Sequence, residues 1–146
     1  MRLIETPKHI EAKRLIETNM SKIKDFIDLE VWQKGKDLTI TIYRLTSVFP
    51  KEEIYGITSQ MKRAALSVPA NIAEGFGRFH FMDKAKFFLN ARGSLYELKS
   101  HLLISKALGF VKDNRIEIIL QSIQALSIKL NNLINKTRDL KKQESQ

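Results

Sequence analysis

Chemistry needs polar side chains brought together, and one such set lies on a single helical repeat. Arg63, Ser67, Asn71, Glu74 and Arg78 are spaced four, four, three and four residues apart, which places all five on one face of a helix. Ala64, Ala65, Val68, Ile72 and Ala73 mark the apolar side of the same stretch. A merely solvated face usually carries long flexible charges rather than Ser and Asn. Glu74 and Arg78 form a natural i, i+4 ion pair, and buried polar groups must find partners. The following helix offers Ser94 and Glu97, beside a Gly93 small enough to permit close backbone approach. The stripe therefore reads as a polar network fixing helix register, or as a subunit interface, rather than as a catalytic site. A hydrolytic centre needs a base placed beside a nucleophile, or a clustered metal shell. Glu74 and Glu97 could pair as carboxylates, yet neither has a histidine three residues on, as a ferritin-like di-iron site requires.

Other candidate chemistry is weaker. His9, His80 and His101 share no ligand spacing, and His101 lies at i, i+4 from Glu97, a surface contact more readily than a ligand pair. Gly75-Phe76-Gly77-Arg78 lacks the preceding strand and the Gly-Lys-Ser/Thr of a phosphate loop, so it reads as a helix stop. Cysteine is absent, which excludes a disulfide scaffold, a thiolate zinc site and a cysteine nucleophile. Aromatic and basic residues interleave at Arg78, Phe79, Phe81, Lys84, Lys86, Phe87 and Phe88. Stacked bases could use such rings. Helical core suits Phe87 and Phe88 better, while Phe79 and Phe81 in a turn stay open to either role. Trp32 and Tyr43 read as packing residues whose polar tips find partners at the edge of the structure. The expectation is no catalytic residue, no metal, no cofactor and no small-molecule substrate.

Charge points to partners instead. The formal net charge is +9, from 25 basic and 16 acidic residues. Within 80–112, Lys84, Lys86, Arg92, Lys99, Lys106 and Lys112 face only Asp83 and Glu97. Such a balance favours an anionic partner, RNA or DNA first and an acidic protein surface second, although a lysine-rich surface also simply keeps a protein soluble. Lys84, Lys86, Arg92, Lys99 and Lys106 are the candidate nucleic-acid contacts.

These side chains must be positioned by helices, because no segment shows sustained period-two alternation. Val31, Leu38, Ile42, Leu45 and Phe49 form one stripe of a helix over about 29–48, with Asp28 as its cap and Phe49-Pro50 as its end. A second helix is expected from Thr58, as cap, to Phe76, bent but not ended by Pro69. A third runs from Asp83, its cap, to Leu108, with Gly109 as terminator; Phe88, Ala91, Leu95, Leu98, Leu102 and Ser105 alternate strictly by three and four. A fourth runs from Asp113, again a cap, to about Lys141 on a wide apolar stripe that includes Ile116, Ile123, Leu130 and Leu140. Short links between long amphipathic helices predict an all-α, antiparallel up-down four-helix bundle over 23–141. Residues 1–22 are expected to form a helical or disordered extension, with a weak helical pattern over 8–18, and 142–146 a disordered tail. Met20 is a candidate start codon, which would leave 1–19 as an appendage. The N-terminus shows no secretion signal and no apolar run is long enough to span a bilayer, so the expected location is the cytoplasm.

Particular stretches carry a family resemblance. They are Asp28-Leu29-Glu30-Val31-Trp32-Gln33-Lys34, Phe49-Pro50-Lys51-Glu52-Glu53 with Tyr55-Gly56, and Thr58-Ser59-Gln60. Arg63 to Arg78 with its Val68-Pro69-Ala70-Asn71-Ile72-Ala73-Glu74-Gly75, Gly93-Ser94-Leu95-Tyr96-Glu97-Leu98 and Leu108-Gly109 follow in order. Together they resemble the small four-helix-bundle family encoded by intervening sequences inside bacterial 23S ribosomal RNA genes. The resemblance covers roughly 23–140 and leaves 1–19 outside. It implies an antiparallel bundle, commonly assembled as a homopentameric ring, and a likeness to the basic pentameric accessory protein of diversity-generating retroelements. It implies no catalytic activity. Where the family often carries a charged run after the glycine-arginine turn, this chain has Phe79-His80-Phe81-Met82-Asp83. The expected function is a non-enzymatic oligomer binding RNA, ribosomal RNA included, through lysine and arginine. The alternative is a protein-interaction adaptor that docks an acidic partner or a polymerase.

Overall fold

A computed structural model of the chain describes residues 6–11, 14 and 22–145. Of the N-terminal extension, residues 7–11 are helical; Met20 and most of the stretch expected to be helical lie outside the described residues. Four long helices follow: α1 (Glu30–Thr46), α2 (Ile57–Gly77), α3 (Phe81–Ala107) and α4 (Asp113–Glu144). Single 3-10 turns at Phe26–Asp28 and Lys51–Glu53 precede α1 and α2, and the described residues contain no strand. At about 1.5 Å per residue, α3 and α4 are roughly 40 and 48 Å long.

Each helix packs against its neighbours in sequence, and α4 closes on α1, so the order around the bundle is α1-α2-α3-α4. Ring closure with short links makes every neighbour antiparallel. The apolar stripes read from periodicity meet inside. Val31, Leu38, Ile42, Leu45 and Phe49 are buried, as are all six residues of the three-four alternation on α3. From α4 come Ile116, Ile119, Ile123, Leu126, Leu130 and Ile134, while Leu140 stays exposed. One contiguous cluster joins the four helices. Phe49 and Phe110 rings, 5.6 Å apart, tie the end of α1 to the α3–α4 link.

The expected caps need correction. Asp28 does not cap α1: its carboxylate accepts the Lys24 and Asp25 amides at 2.9 and 3.1 Å and closes the 3-10 turn before it. Leu29 holds the N-cap position with no side-chain bond. Thr58 is the second residue of α2, not its cap, and its buried hydroxyl has no partner. Asp83 and Asp113 likewise sit inside the first turns of α3 and α4, behind His80 and Lys112. There they favour the positive end of the helix dipole without bonding the free amides. Gly109 does end α3. At φ +77° it takes the left-handed conformation, with Gly109 N–H donating to Lys106 O and Phe110 N–H to Ser105 O, each at 3.0 Å.

Pro69 lies inside α2 as expected. Lacking an N–H, it leaves the Ala65 carbonyl without its helical donor. Thr39 on α1 supplies the substitute: its hydroxyl lies 3.0 Å from Ala65 O and 2.8 Å from Gly35 O, so one proton serves both. Gly35 faces Pro69 on the same seam, where a Cβ would make ordinary contact at 3.5 Å from Pro69 Cβ. The α1–α2 seam is thereby keyed in register.

Candidate functional site

The α2 stripe turns toward α3 and splits into separate groups. Ser67 and Ser94 hydroxyls meet at 2.8 Å across the seam, and Asn71 Nδ2 donates to Ser67 O at 2.7 Å and to Ser67 Oγ at 2.9 Å. All three are half-buried. Glu74 on α2 pairs with Arg78 just past its end, and Arg78 also lies over the Phe87 ring, 4.6 Å from its centroid. Glu97 turns to His101 on its own helix at 3.4 Å. Arg63 is exposed and bonds no described residue. The expected network is thus three residues deep, Ser67, Asn71 and Ser94. No carboxylate is held beside a nucleophile in it.

Gly93 does not provide the close α2–α3 approach. A Cβ at that position would meet nothing within 4 Å, and the residue is exposed on the outside of α3. Gly75 provides it instead: a Cβ there would lie 2.7 Å from Phe88 Cε1. Reading spacing alone could not tell which glycine faces inward, because both stand near the stripe.

The five candidate cations on α3 have unequal freedom. Lys84 Nζ donates to Phe76 O at 2.6 Å and reaches Gly75 O at 3.4 Å, so it stabilises the carbonyl end of α2. Burial there lowers its pKa below the ordinary lysine value. Arg92 donates to Asn131 on α4 at 2.9 Å, and Lys106 lies 3.9 Å from Asp113 and 3.8 Å from Glu117. Lys86 and Lys99 are exposed and unpaired among the described residues. They stand about 140° apart around α3, so they do not make one patch.

A denser group of free cations lies where sequence reasoning did not look. Lys136, Arg138, Lys141 and Lys142, on the last turns of α4, are exposed and form no ion pair with a described residue. The signal was present, as four basic residues within 136–142. Only Lys142 falls in the tail expected to be disordered, and α4 in fact continues to Glu144.

Aromatic residues divide similarly. Phe88 is buried and Phe87 and Phe81 are half-buried, but Phe79 in the α2–α3 turn is 90% exposed. Trp32 packs edge-on against Phe26 at 5.2 Å. Tyr43, expected to pack, is exposed beneath the Lys62 ammonium, 4.9 Å from its centroid.

No group of His, Cys, Asp or Glu among the described residues could hold a metal ion, and no helix there is long and apolar enough to cross a membrane. The clefts between α1 and α4 are open troughs, lined in their middle by Lys34, Asp37, Thr41, Ile118 and Ser122.

Comparison with known proteins places this architecture. The family of the 23S rRNA-intervening sequence protein matches residues 27–132. A crystal structure of a protein with unknown function from the S23 ribosomal protein family of Bacteroides thetaiotaomicron VPI-5482 superposes with a TM-score of 0.65. That likeness, at 18% identity, covers 71% of this chain and 97% of the other and concerns the fold. No curated protein matches the chain.

Proposed function

The chain belongs to the 23S rRNA-intervening sequence protein family, and we propose that it acts without catalysis, as a self-assembling helical module that binds RNA through its cationic exterior. The observation that carries this reading is the excess of basic residues together with their placement. Lys86, Lys99, Lys136, Arg138, Lys141 and Lys142 are all exposed and unpaired among the described residues. Such cations cost little to present and become useful when phosphates replace the counterions around them. The family's name ties its members to ribosomal RNA genes, which makes structured RNA the first ligand to try.

Assembly as a homo-oligomer, a pentamer by family resemblance, completes the reading. Ile118, Gln121, Ala125, Ile128 and Asn132 recur by three and four on the outer side of α4, with no charge among them. Ile118 and Ile128 are 66% and 54% exposed. A spacing of this kind is the seam along which a second helix packs.

Anisotropy titration against structured RNA at two salt concentrations tests the binding. The expected result is affinity that falls steeply with salt. No binding at low salt would defeat it. An adaptor role would instead appear as protein partners that survive nuclease treatment in a pull-down. A light-scattering mass of one chain would defeat the assembly.

A further inference from the structure

The end of the bundle formed by the α2–α3 turn and the last turns of α4 combines a bare ring with free cations. Two contacts set the register. Arg92 meets Asn131 and Lys106 meets Glu117, so each step back along α3 is matched by a step forward along α4. Continued to the start of α3, the same register sets Phe81 level with Lys142 and Lys86 level with Thr137. The turn that presents Phe79 therefore stands at the end where Lys136, Arg138, Lys141 and Lys142 emerge.

Phe79 itself has no structural occupation. It is 90% exposed, and its one ring contact is with the adjacent His80, at 5.2 Å and 89°. Of its neighbours, Phe88 is buried and Phe81 and Phe87 are half-buried. The helix dipole accounts for Lys141 and Lys142, which lie in the last turn of α4, but not for Lys136 and Arg138 before them. Tyr55, the other bared ring, follows Glu52 and Glu53 in the α1–α2 link, so carboxylates rather than a cluster of cations adjoin it in the chain. The Phe79 end carries four exposed cations unpaired among the described residues, Lys136, Arg138, Lys141 and Lys142, interspersed with Asp139 and Glu144.

We infer that this end is a stacking site for single-stranded nucleic acid, in which Phe79 takes an unpaired base while the α4 cations hold the flanking phosphates. The inference rests on the RNA-binding reading and deepens it by naming the site and the form of the ligand. Phenylalanine carries no hydrogen-bonding group, so the site reads no sequence; it needs only a base free of its neighbours. Bases inside a duplex are already stacked, so loops, bulges and ends are its targets.

Fluorescence anisotropy of the full chain with an unstructured labelled oligoribonucleotide, the matching oligodeoxyribonucleotide and the corresponding duplex tests this, at two salt concentrations. Phe79→Ala should weaken single-strand binding by roughly 5- to 140-fold, the span of one lost base stack. Its salt dependence should be that of the unaltered protein. Phe79→Tyr should restore the affinity. Replacing both Lys141 and Lys142 with Gln should flatten the log–log salt slope by about 0.7 per charge on a single strand. A preference between the RNA and DNA strands tells which is the ligand, and either supports the site. Wild-type affinity in Phe79→Ala, with binding intact, overturns the stacking site and leaves the broader RNA reading standing. Absence of all nucleic-acid binding overturns both. Phe79-dependent binding to phosphatidylserine vesicles without binding to either strand would assign the end to a membrane surface and sink the inference. Thermal unfolding of Phe79→Ala should match the unaltered protein, since the ring supports no core.

Discussion

A proline inside a helix strands the carbonyl four residues earlier, and in α2 that carbonyl belongs to Ala65. Thr39 reaches it from α1 across the packed α1–α2 seam. The arrangement makes a coupled prediction. Thr39→Val should lower stability by about 1–3 kcal/mol in urea unfolding, the cost of an unpaired buried acceptor. Pro69→Ala returns an amide to that carbonyl, so in its background the loss should shrink to the small packing change of the Thr-to-Val exchange. Equal losses in both backgrounds would refute the pairing. Nothing in the periodic pattern announces Thr39. Yet Gly35 and Thr39 stand four apart on one helical face, and a proline elsewhere implies a donor somewhere. Lys84 was visible as a charge but not as a cap, because its partners, Gly75 O and Phe76 O, are main-chain atoms that no side-chain pattern encodes.

At the scale of elements, the four helices were legible because their apolar residues repeat by three and four over long stretches, which gives each helix one face to bury. Ends were less legible. Asp28, Thr58, Asp83 and Asp113 are all good capping types, yet each falls one to three residues from the position where a side chain could bond the free amides. Facing direction was the other gap, seen in the two glycines. Gly75→Ala should destabilise by about 1–3 kcal/mol, because its methyl group would press on the Phe88 ring. Gly93→Ala should stabilise the isolated bundle by up to about 1 kcal/mol, since it gains helix propensity and meets open space. Opposite signs in paired thermal melts are the expected outcome; the same sign would show that the two faces are misassigned. The Ser67–Asn71–Ser94 group bears on the α2–α3 seam in the same way. Asn71→Leu should lower the melting temperature and leave the mass in light scattering unchanged, whereas an altered mass would place this stripe at a subunit contact.

For the whole molecule, the apolar seams pack together and most cations stand outside them. Charge composition favours an anionic partner but does not rank the cations, because Lys84, Arg92 and Lys106 on α3 are taken up by carbonyls, an amide and carboxylates. The freer cations gather at the end of α4. The most direct test of RNA binding through this exterior is therefore a salt titration of structured-RNA anisotropy on two proteins, unaltered and with Lys136, Arg138, Lys141 and Lys142 changed to Gln. The account predicts tight binding at low salt for the first, and weaker binding with a flatter salt slope for the second. Identical curves for the two, or no binding by either, would contradict it.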